Sequence, residues 1–371
     1  MTKLYLSAIV KNEAHIIRRM LESAKPYISG YLICDTGSTD GTQDIIREVL
    51  ADLPGEVIDR PWVSFGHNKS EALEYGRQKF SKEWYALIFD ADEQLVVPDG
   101  FKFPNLDEPL YNLNFKMGEF VWGRSALFSN EHDWRYEGVL HEAPVCTTAQ
   151  FVEQKIIEGP VVYSYSDGNR SQQDIKTKYE KDAVVLEAAM VEDPDNARHQ
   201  FYLAQSYRDS DQFDKAISAY EKRAAMGGWP EEVYWSLLEK ARTMIRAGKD
   251  IELVKKAYLA AWRSRKERIE AAVELASLHR ATDRPDLALI VCKRILDSPM
   301  PEDVLFVTQS WWTWRRYDEY AVNSWLQGDI HEAMKYTEIA LRANDLNDQD
   351  RQRMLNNLAF WHQQLYNTVT A

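Results

Sequence analysis

The chain has little cysteine, no long apolar run and no surplus of positive charge, and each shortage excludes something. Its three cysteines, Cys34, Cys146 and Cys292, lie far apart and match neither a disulfide framework nor a zinc spacing, which fits a reducing cytoplasm. No apolar stretch approaches the roughly 20 residues of a membrane span. Met1-Thr2-Lys3 and the short strand-like run after it do not resemble a signal peptide. With 45 Lys and Arg against 58 Asp and Glu, the formal net charge of −13 argues against general affinity for nucleic acid or anionic membranes. Two local basic features stand out: Arg263, Arg265, Lys266 and Arg268 form a cluster, and Arg315-Arg316 follows Trp311-Trp312-Thr313-Trp314. A charged face of a repeat helix with aromatic packing behind it explains both more simply than a binding patch. Neither G-x-G-x-x-G nor G-x-x-x-x-G-K-[ST] occurs, so neither a dinucleotide fold nor a phosphate-loop NTPase is indicated.

What is present is a well-packed globular composition. The 371 residues are 45% hydrophobic and include 12 Trp, 19 Tyr and 13 Phe, enough for two or three domains. The amino-terminal half alternates strand and helix signals. Leu4–Val10 is a near-continuous apolar run, as in a parallel strand covered on both faces. Ile16, Ile17, Met20, Leu21 and Ala24 follow a helical period, with Pro26 and Gly30 marking the end. Tyr31–Cys34 reads as a second strand, and Ile45, Ile46, Val49 and Leu50 as the buried face of a second helix. Asp40 and Gln43 have the form of a capping pair for that helix. Val57-Ile58, a helix over Lys69–Phe80 and a strand over Trp84–Phe89 complete the alternation, which implies a parallel sheet with right-handed crossovers.

Two loops in this half carry chemistry. Asp35-Thr36-Gly37-Ser38-Thr39-Asp40-Gly41-Thr42 follows the second strand, and such small residues let backbone amides approach a ligand. Asp35 at the strand end can accept hydrogen bonds from a ribose or a base edge, or simply stabilise a turn. Asp90-Ala91-Asp92-Glu93 follows the fourth strand directly. On an extended chain the Asp90 and Asp92 carboxylates project together at the carboxyl end, where open α/β sheets bind ligands. Hard oxygen donors so placed suit Mg²⁺ or Mn²⁺ carrying a diphosphate. The same D-x-D spacing recurs at Asp193/Asp195, Asp209/Asp211 and Asp348/Asp350, where the surroundings read as helical loops.

Val10-Lys11-Asn12-Glu13, Asp35–Asp40 and Asp90–Glu93, at these intervals, resemble family-2 glycosyltransferases of the GT-A fold. Tyr136-Glu137-Gly138-Val139-Leu140-His141-Glu142 is similar to the G-x-x-H-E segment of a subgroup that carries tetratricopeptide repeats. The resemblance implies an α/β GT-A-type nucleotide-sugar domain over 1–170, followed by an all-α tetratricopeptide-like helical repeat domain over 171–371. It implies an inverting hexosyl- or pentosyltransferase using a nucleotide diphosphate sugar, with a UDP-sugar as the expected donor. By position, Glu13 and Asp35 would hold the nucleoside, Asp90 would contact ribose or metal, and Asp92 would ligate Mn²⁺ or Mg²⁺. The subgroup's Ala-Arg-Asn ahead of the third helix is Gly66-His67-Asn68 here; Asn68 keeps its place, and Lys69 would supply positive charge to the diphosphate. Within that frame His141 would be a third metal ligand, since neutral imidazole suits Mn²⁺. Glu142 or Glu137 would be the base that deprotonates the acceptor. A His-Glu pair at a loop end also serves as an ordinary structural pair.

From about Gln172, past a junction at Gly168-Asn169-Arg170-Ser171, helical periodicity takes over. Leu203-Ala204 with Tyr207 and then Ala216 and Tyr220 follows tetratricopeptide spacing. Leu275-Ala276 with Ala288, and Tyr320-Ala321 with Ala333, repeat the same twelve-residue interval between small residues. A degenerate unit lies around Leu238–Ala241 and Ala257, and a final helix near Gln352–Tyr366 would cap the stack. Stacked pairs form a concave face suited to an extended partner, or to a homodimer. Relatives with this pairing of domains include S-glycosyltransferases acting on bacteriocin peptides. The acceptor classes implied are therefore a polypeptide, a glycan or a hydroxylated phage DNA base, the last disfavoured by net charge. The alternative is a catalytically weak nucleotide-sugar-binding repeat scaffold for protein interactions.

Overall fold

The computed structural model describes residues 2–118, 120–149, 155–165, 167–168 and 174–370. The chain falls into two compact units, Met1–Glu192 and Asp193–Ala371. Of the expected junction, Asn169, Arg170 and Ser171 lie outside the described residues, as does Gln172.

The first unit is built on a sheet with eight strands among the described residues, in the order β3-β2-β1-β4-β7-β6-β10-β5. The strands are β1 (Lys3–Val10), β2 (Gly30–Asp35), β3 (Gly55–Asp59), β4 (Trp84–Ile88), β5 (Glu93–Val96), β6 (Leu110–Met117), β7 (Phe120–Ser129) and β10 (Lys155–Ser164). β2 is buried along its whole length and β1 along nearly all of it, which accounts for the apolar run Leu4–Val10. Helices α1 (Ile17–Ala24), α2 (Thr42–Val49) and α3 (Phe65–Lys79) form the crossovers. Ile17, Met20, Leu21, Ala24, Ile46 and Leu50 pack into a core with Leu4, Leu6 and Ile33. Helix α4 (Ile175–Glu192) completes the unit.

The expected parallel sheet holds for β3-β2-β1-β4. Beyond β4 the sheet becomes mixed, with β7 antiparallel to both β4 and β6. β6 and β7 are consecutive with no helix between them, and a direct connection forces the antiparallel sense. A second, two-stranded sheet pairs β8 (Trp134–Glu137) with β9 (Ala143–Cys146). It leans on α3, where Ser70 Oγ accepts from the Tyr136 amide at 2.8 Å. Gly66 makes this approach feasible: a Cβ there would lie 2.5 Å from the Gly138 carbonyl oxygen.

Two local expectations are corrected. α3 starts at Phe65, because Ser64 caps it by accepting from the His67 amide at 3.2 Å. Gly66-His67-Asn68-Lys69 is thus the first turn of that helix. Asp40 and Gln43 do not form a capping pair: Gly41, at φ 91°, holds the cap position of α2, and Gln43 Nε2 donates to Asp59 Oδ1 at 2.6 Å.

The second unit is all helical: α5 (Ala197–Asp209), α6 (Phe213–Ala225), α7 (Pro230–Arg246), α8 (Ile251–Ser264), α9 (Glu270–Ala281), α10 (Pro285–Lys293), α11 (Arg316–Leu326), α12 (Ile330–Ala340) and α13 (Asp348–Thr370). A π-helical stretch, Trp311–Arg315, leads into α11. Ala204, Ala216, Ala276, Ala288, Ala321 and Ala333 are all fully buried, as close helix approach requires. In the degenerate pair Ala241 and Ala261 are fully buried, with Ala257 at the edge of the same cluster. α13 buries Met354 and Trp361.

Candidate functional site

The order of strand addition switches sides at β1, since β2 and β3 lie on one side of β1 and the parallel β4 on the other. Ligands in open α/β sheets bind in the crevice outside the carboxyl ends at such a switch point. Asp35 ends β2, paired with Val10 at the end of β1, and Asp90 lies just past the end of β4, after Phe89. A cavity of about 170 Å³ lined by Tyr5, Glu74, Arg77 and His132 lies toward the opposite, amino ends of these strands.

On the β1–β2 side, side chains stitch two loops into one surface. Asn12, at φ 57°, donates its amide to Ser38 Oγ and accepts from the Thr39 amide, both at 2.9 Å. Thr42 Oγ1 accepts from the Glu13 amide at 2.8 Å, and Asp40 Oδ2 accepts from the Ala14 amide at 3.0 Å. Asp35 is fully buried. Its Oδ1 accepts from the amides of Gly37 at 2.8 Å and Ser38 at 2.7 Å, while Oδ2 is buried with no hydrogen-bond partner among the described residues. A buried carboxylate oxygen left without a donor is costly, and a ligand hydroxyl or imino group would satisfy it.

On the β4 side, Asp90–Glu93 is a turn, so Asp90 and Asp92 come together by folding back and not by the strand alternation expected. The Glu93 amide donates to the Asp90 carbonyl at 3.1 Å, and the Asp90 amide donates to Glu93 Oε2 at 2.8 Å. Two cations join them. Arg124, on β7, donates to Glu93 Oε2 at 2.7 Å and reaches Asp90 Oδ2 at 3.3 Å. Lys69, on α3, lies 2.7 Å from Glu142 Oε1 and 3.4 Å from Asp90 Oδ1. The ring of Tyr136 lies beneath Lys69, and that of Phe115 beneath Arg124. Four carboxylates (Asp90, Asp92, Glu93 and Glu142) thus meet two cations, an excess of two negative charges when all are ionised.

The electrostatics follow from this count. Burial would raise the Asp90 carboxyl, but Lys69 and Arg124 outweigh it and hold it at about 2. Burial likewise opposes the charges of Lys69 and Arg124, and their carboxylate partners push both upward instead. Glu93, 2% exposed, is raised by burial to about 7 against the pull of Arg124. Asp92 is raised by burial and by the neighbouring Asp90; its carbonyl accepts from the Tyr165 amide at 3.2 Å, and its carboxylate forms no ion pair or hydrogen bond with another side chain among the described residues. A divalent cation would relieve that carboxylate. Mg²⁺ or Mn²⁺ commonly binds through one or two protein carboxylates plus substrate phosphates and water, and Asp92 with Asp90 fits that donor set.

The other sequence-derived candidates fall as follows. Glu142 joins the cluster through Lys69, with its side chain 10% exposed. Glu137 is exposed and pairs with Arg135 at 2.7 Å. His141 is exposed at φ 51°, and among the described residues no group of three or more His, Cys, Asp and Glu is placed to hold a metal, so Asp90, Asp92 and His141 are not assembled as a triad. The Asn68 side chain is buried and engaged with the Val63 amide, the Pro61 carbonyl and Glu71, which shapes the turn into α3. Glu13 is half-buried in the stitched loop. Sequence reasoning missed Arg124, and gave no role to Tyr136 or Glu93 although both lay inside the quoted motifs. Arg19, which donates to Asp167 at 2.7 Å and lies over the Tyr165 ring, ties the segment after β10 to α1 beside Asp92.

Residues 8–99, within the first unit, match the family model for glycosyl transferase family 2. Arg124, Tyr136 and Glu142 lie beyond the matched residues. A tetratricopeptide-repeat-containing protein of Synechococcus elongatus is 29% identical over 38% of this chain and 35% of its own length. The SPbeta prophage-derived glycosyltransferase SunS of Bacillus subtilis is 23% identical over 58% of this chain and 51% of its own length. The chain thus spans about a third to a half of the curated relatives it matches. Among solved structures, BtubC of P. vanneervenii matches 53% of this chain and 84% of its own at 15% identity and a TM-score of 0.40. A tetratricopeptide repeat protein from Parabacteroides merdae matches 53% and 71% at 16% identity and 0.38. No helix among the described residues is long and apolar enough to cross a membrane.

Proposed function

We propose that the chain is an inverting glycosyltransferase that moves a sugar from a nucleoside diphosphate, with uridine diphosphate as the expected carrier, to a macromolecular acceptor. The observation that carries this reading is the half-buried Asp92 carboxylate, paired with no other side chain among the described residues, beside Asp90 at the sheet's switch point. The orphaned Asp35 Oδ2 supports a nucleoside contact across β1. Asp92 and Asp90 would hold Mn²⁺ or Mg²⁺, which neutralises charge developing on the leaving diphosphate. Lys69 and Arg124 bring further positive charge to the same place. Glu142, kept beside Lys69, accepts the proton as the acceptor heteroatom bonds to the anomeric carbon and the bond from that carbon to the phosphate oxygen breaks. Glu137, paired with Arg135 in solvent, is the weaker candidate for that base. We take 1–170 as the catalytic domain and the helical repeats as the acceptor-presenting part. A polypeptide or glycan acceptor is favoured over DNA, because Arg265 and Arg268 of the basic cluster are paired internally with Asp303 and Glu270.

The test is a donor screen by thermal shift with Mn²⁺, followed by acceptor capture with mass spectrometry. Mn²⁺ with a UDP-sugar should raise the melting temperature and support slow sugar release. Asp92→Ala should abolish both, and Glu142→Gln should keep donor binding while losing transfer. A fully active Asp92→Ala protein would overturn the reading.

A further inference from the structure

Asp90 is held differently from its neighbours. Each cation is anchored firmly elsewhere, Lys69 at 2.7 Å from Glu142 and Arg124 at 2.7 Å from Glu93. Each only leans on Asp90, at 3.4 and 3.3 Å, one on each carboxylate oxygen. Distances of that length are loose for charged partners. Meanwhile the Asp90 backbone is fixed by the reciprocal contacts with Glu93. The carboxylate expected to share a cation with Asp92 is therefore already covered on both oxygens, whereas among the described residues no cation pairs with the Asp92 carboxylate.

We propose that Lys69 and Arg124 are a built-in counter-charge for Asp90 that passes to the donor's diphosphate, so that the divalent cation and the diphosphate bind cooperatively and each binds weakly alone. The inference rests on the reading of this crevice as a nucleotide-sugar site. A cation arriving alone finds Asp92 open but Asp90 blocked by two positive groups within 3.4 Å. A diphosphate arriving alone meets the two cations but also an excess of carboxylate. Together, phosphate oxygens take over the outer contacts of Lys69 and Arg124, and Asp90 turns to the metal. Neither cation has to leave Glu142 or Glu93, so the exchange needs no rearrangement of the buried pairs. By linkage each ligand then strengthens the other by the same factor.

The experiment is titration calorimetry on the full chain with MnCl₂ alone, uridine 5′-diphosphate alone, and each at saturating amounts of the other, corrected for the complex the two form in solution. Inorganic pyrophosphate is run in parallel, so that a wrong choice of base is not mistaken for a lack of coupling. The wild type should show mutual strengthening of about tenfold or more, a coupling of about 1.4 kcal/mol. Lys69→Gln should bind Mn²⁺ alone several-fold tighter and the diphosphate several-fold more weakly, with most of the coupling lost. The double variant Arg124→Gln/Glu93→Gln, which leaves no unpaired buried charge, should change in the same two directions, and either variant suffices if the other fails to fold. A role confined to stability would not move the two affinities in opposite directions. If Mn²⁺ and the diphosphate bind the wild type independently, the inference fails while the donor reading stands. If neither Mn²⁺ nor either diphosphate probe binds, the donor reading fails and takes the inference with it.

Discussion

Both units bury arginines against carboxylates, yet only one of these arrangements is built like a site. In the second unit, Arg223 and Glu232 are 1% and 9% exposed and meet at 2.6 Å, with a further bond from Arg223 to the Gly227 carbonyl. Arg268 is wholly buried over the Tyr234 ring and joins Glu270, Asp303 and the Leu305 carbonyl. Arg316 donates to the carbonyls of Ile295 and Ser298, and Arg315 lies over Trp311 and Trp314. Arg223 and Arg268 each tie one stretch of chain to another through a carboxylate, while Arg316 is held by backbone carbonyls and the Tyr317 hydroxyl. At the end of β4 in the first unit the cations are shared and the carboxylates outnumber them, and among the described residues the Asp92 carboxylate pairs with no other side chain and one oxygen of Asp35 has no partner. Buried charge by itself reports architecture; a surplus of unmatched charge at a strand terminus reports chemistry.

The comparison can be broken or sharpened by substitution. The largest effect is expected for Asp92→Asn, with kcat/KM falling by about 1000-fold or more, about 4 kcal/mol of barrier, in a sugar-release assay. The melting temperature should hold or rise, because burial and Asp90 both oppose the charge being removed. A clear loss of stability would place Asp92 with the architectural pairs. Arg268→Ala should do the reverse, destabilising the second unit by about 3–5 kcal/mol in guanidinium chloride unfolding while donor binding is unchanged. Ala276→Leu, at a fully buried helix contact, should cost about 1–3 kcal/mol in the same measurement through overpacking.

The smallest effect is a divergence with pH. Glu93, raised to about 7, binds more protons folded than unfolded between the ordinary glutamate range and neutrality, so its contribution favours the fold at low pH and fades as pH rises toward 7. Burial lowers the histidine pKa of His199 in the second unit, so the folded form binds fewer protons and stability there falls as pH drops through about 6.5. Hydrogen exchange read separately for the two units between pH 5 and 7.5 should show opposite slopes. Parallel slopes would remove the contrast.

What the sequence made legible was mostly local. The apolar run of β1, the period of α1 and the twelve-residue spacing of alanines all follow from burial of one face, which composition records directly. Asp35, Asp90 and Asp92 were visible because strand ends and short acidic motifs sit close in sequence. Arg124 was not, since it enters the site through a hairpin partner of β4 and no spacing rule connects it to Asp90. The start of α3 was misjudged because Ser64 caps it ahead of the apolar period. Asn68 looked available for a ligand, but its amide was already engaged by the preceding turn. The Arg263–Arg268 stretch looked like surface charge until distant Asp303 came into contact with it.

Glu142 stands on a ribbon that shares no backbone ladder with the main sheet and meets it through α3 and through side chains, Trp134 packing on Phe128. The base proposed here, Glu142, is therefore mounted separately from the strands that set Asp35 and Asp90. Insertions or reshaping in that ribbon can change which nucleophile is admitted without shifting strand registration. If the proposed function holds, selectivity for what receives the sugar is in this way free to drift while the residues proposed to grip its carrier stay fixed.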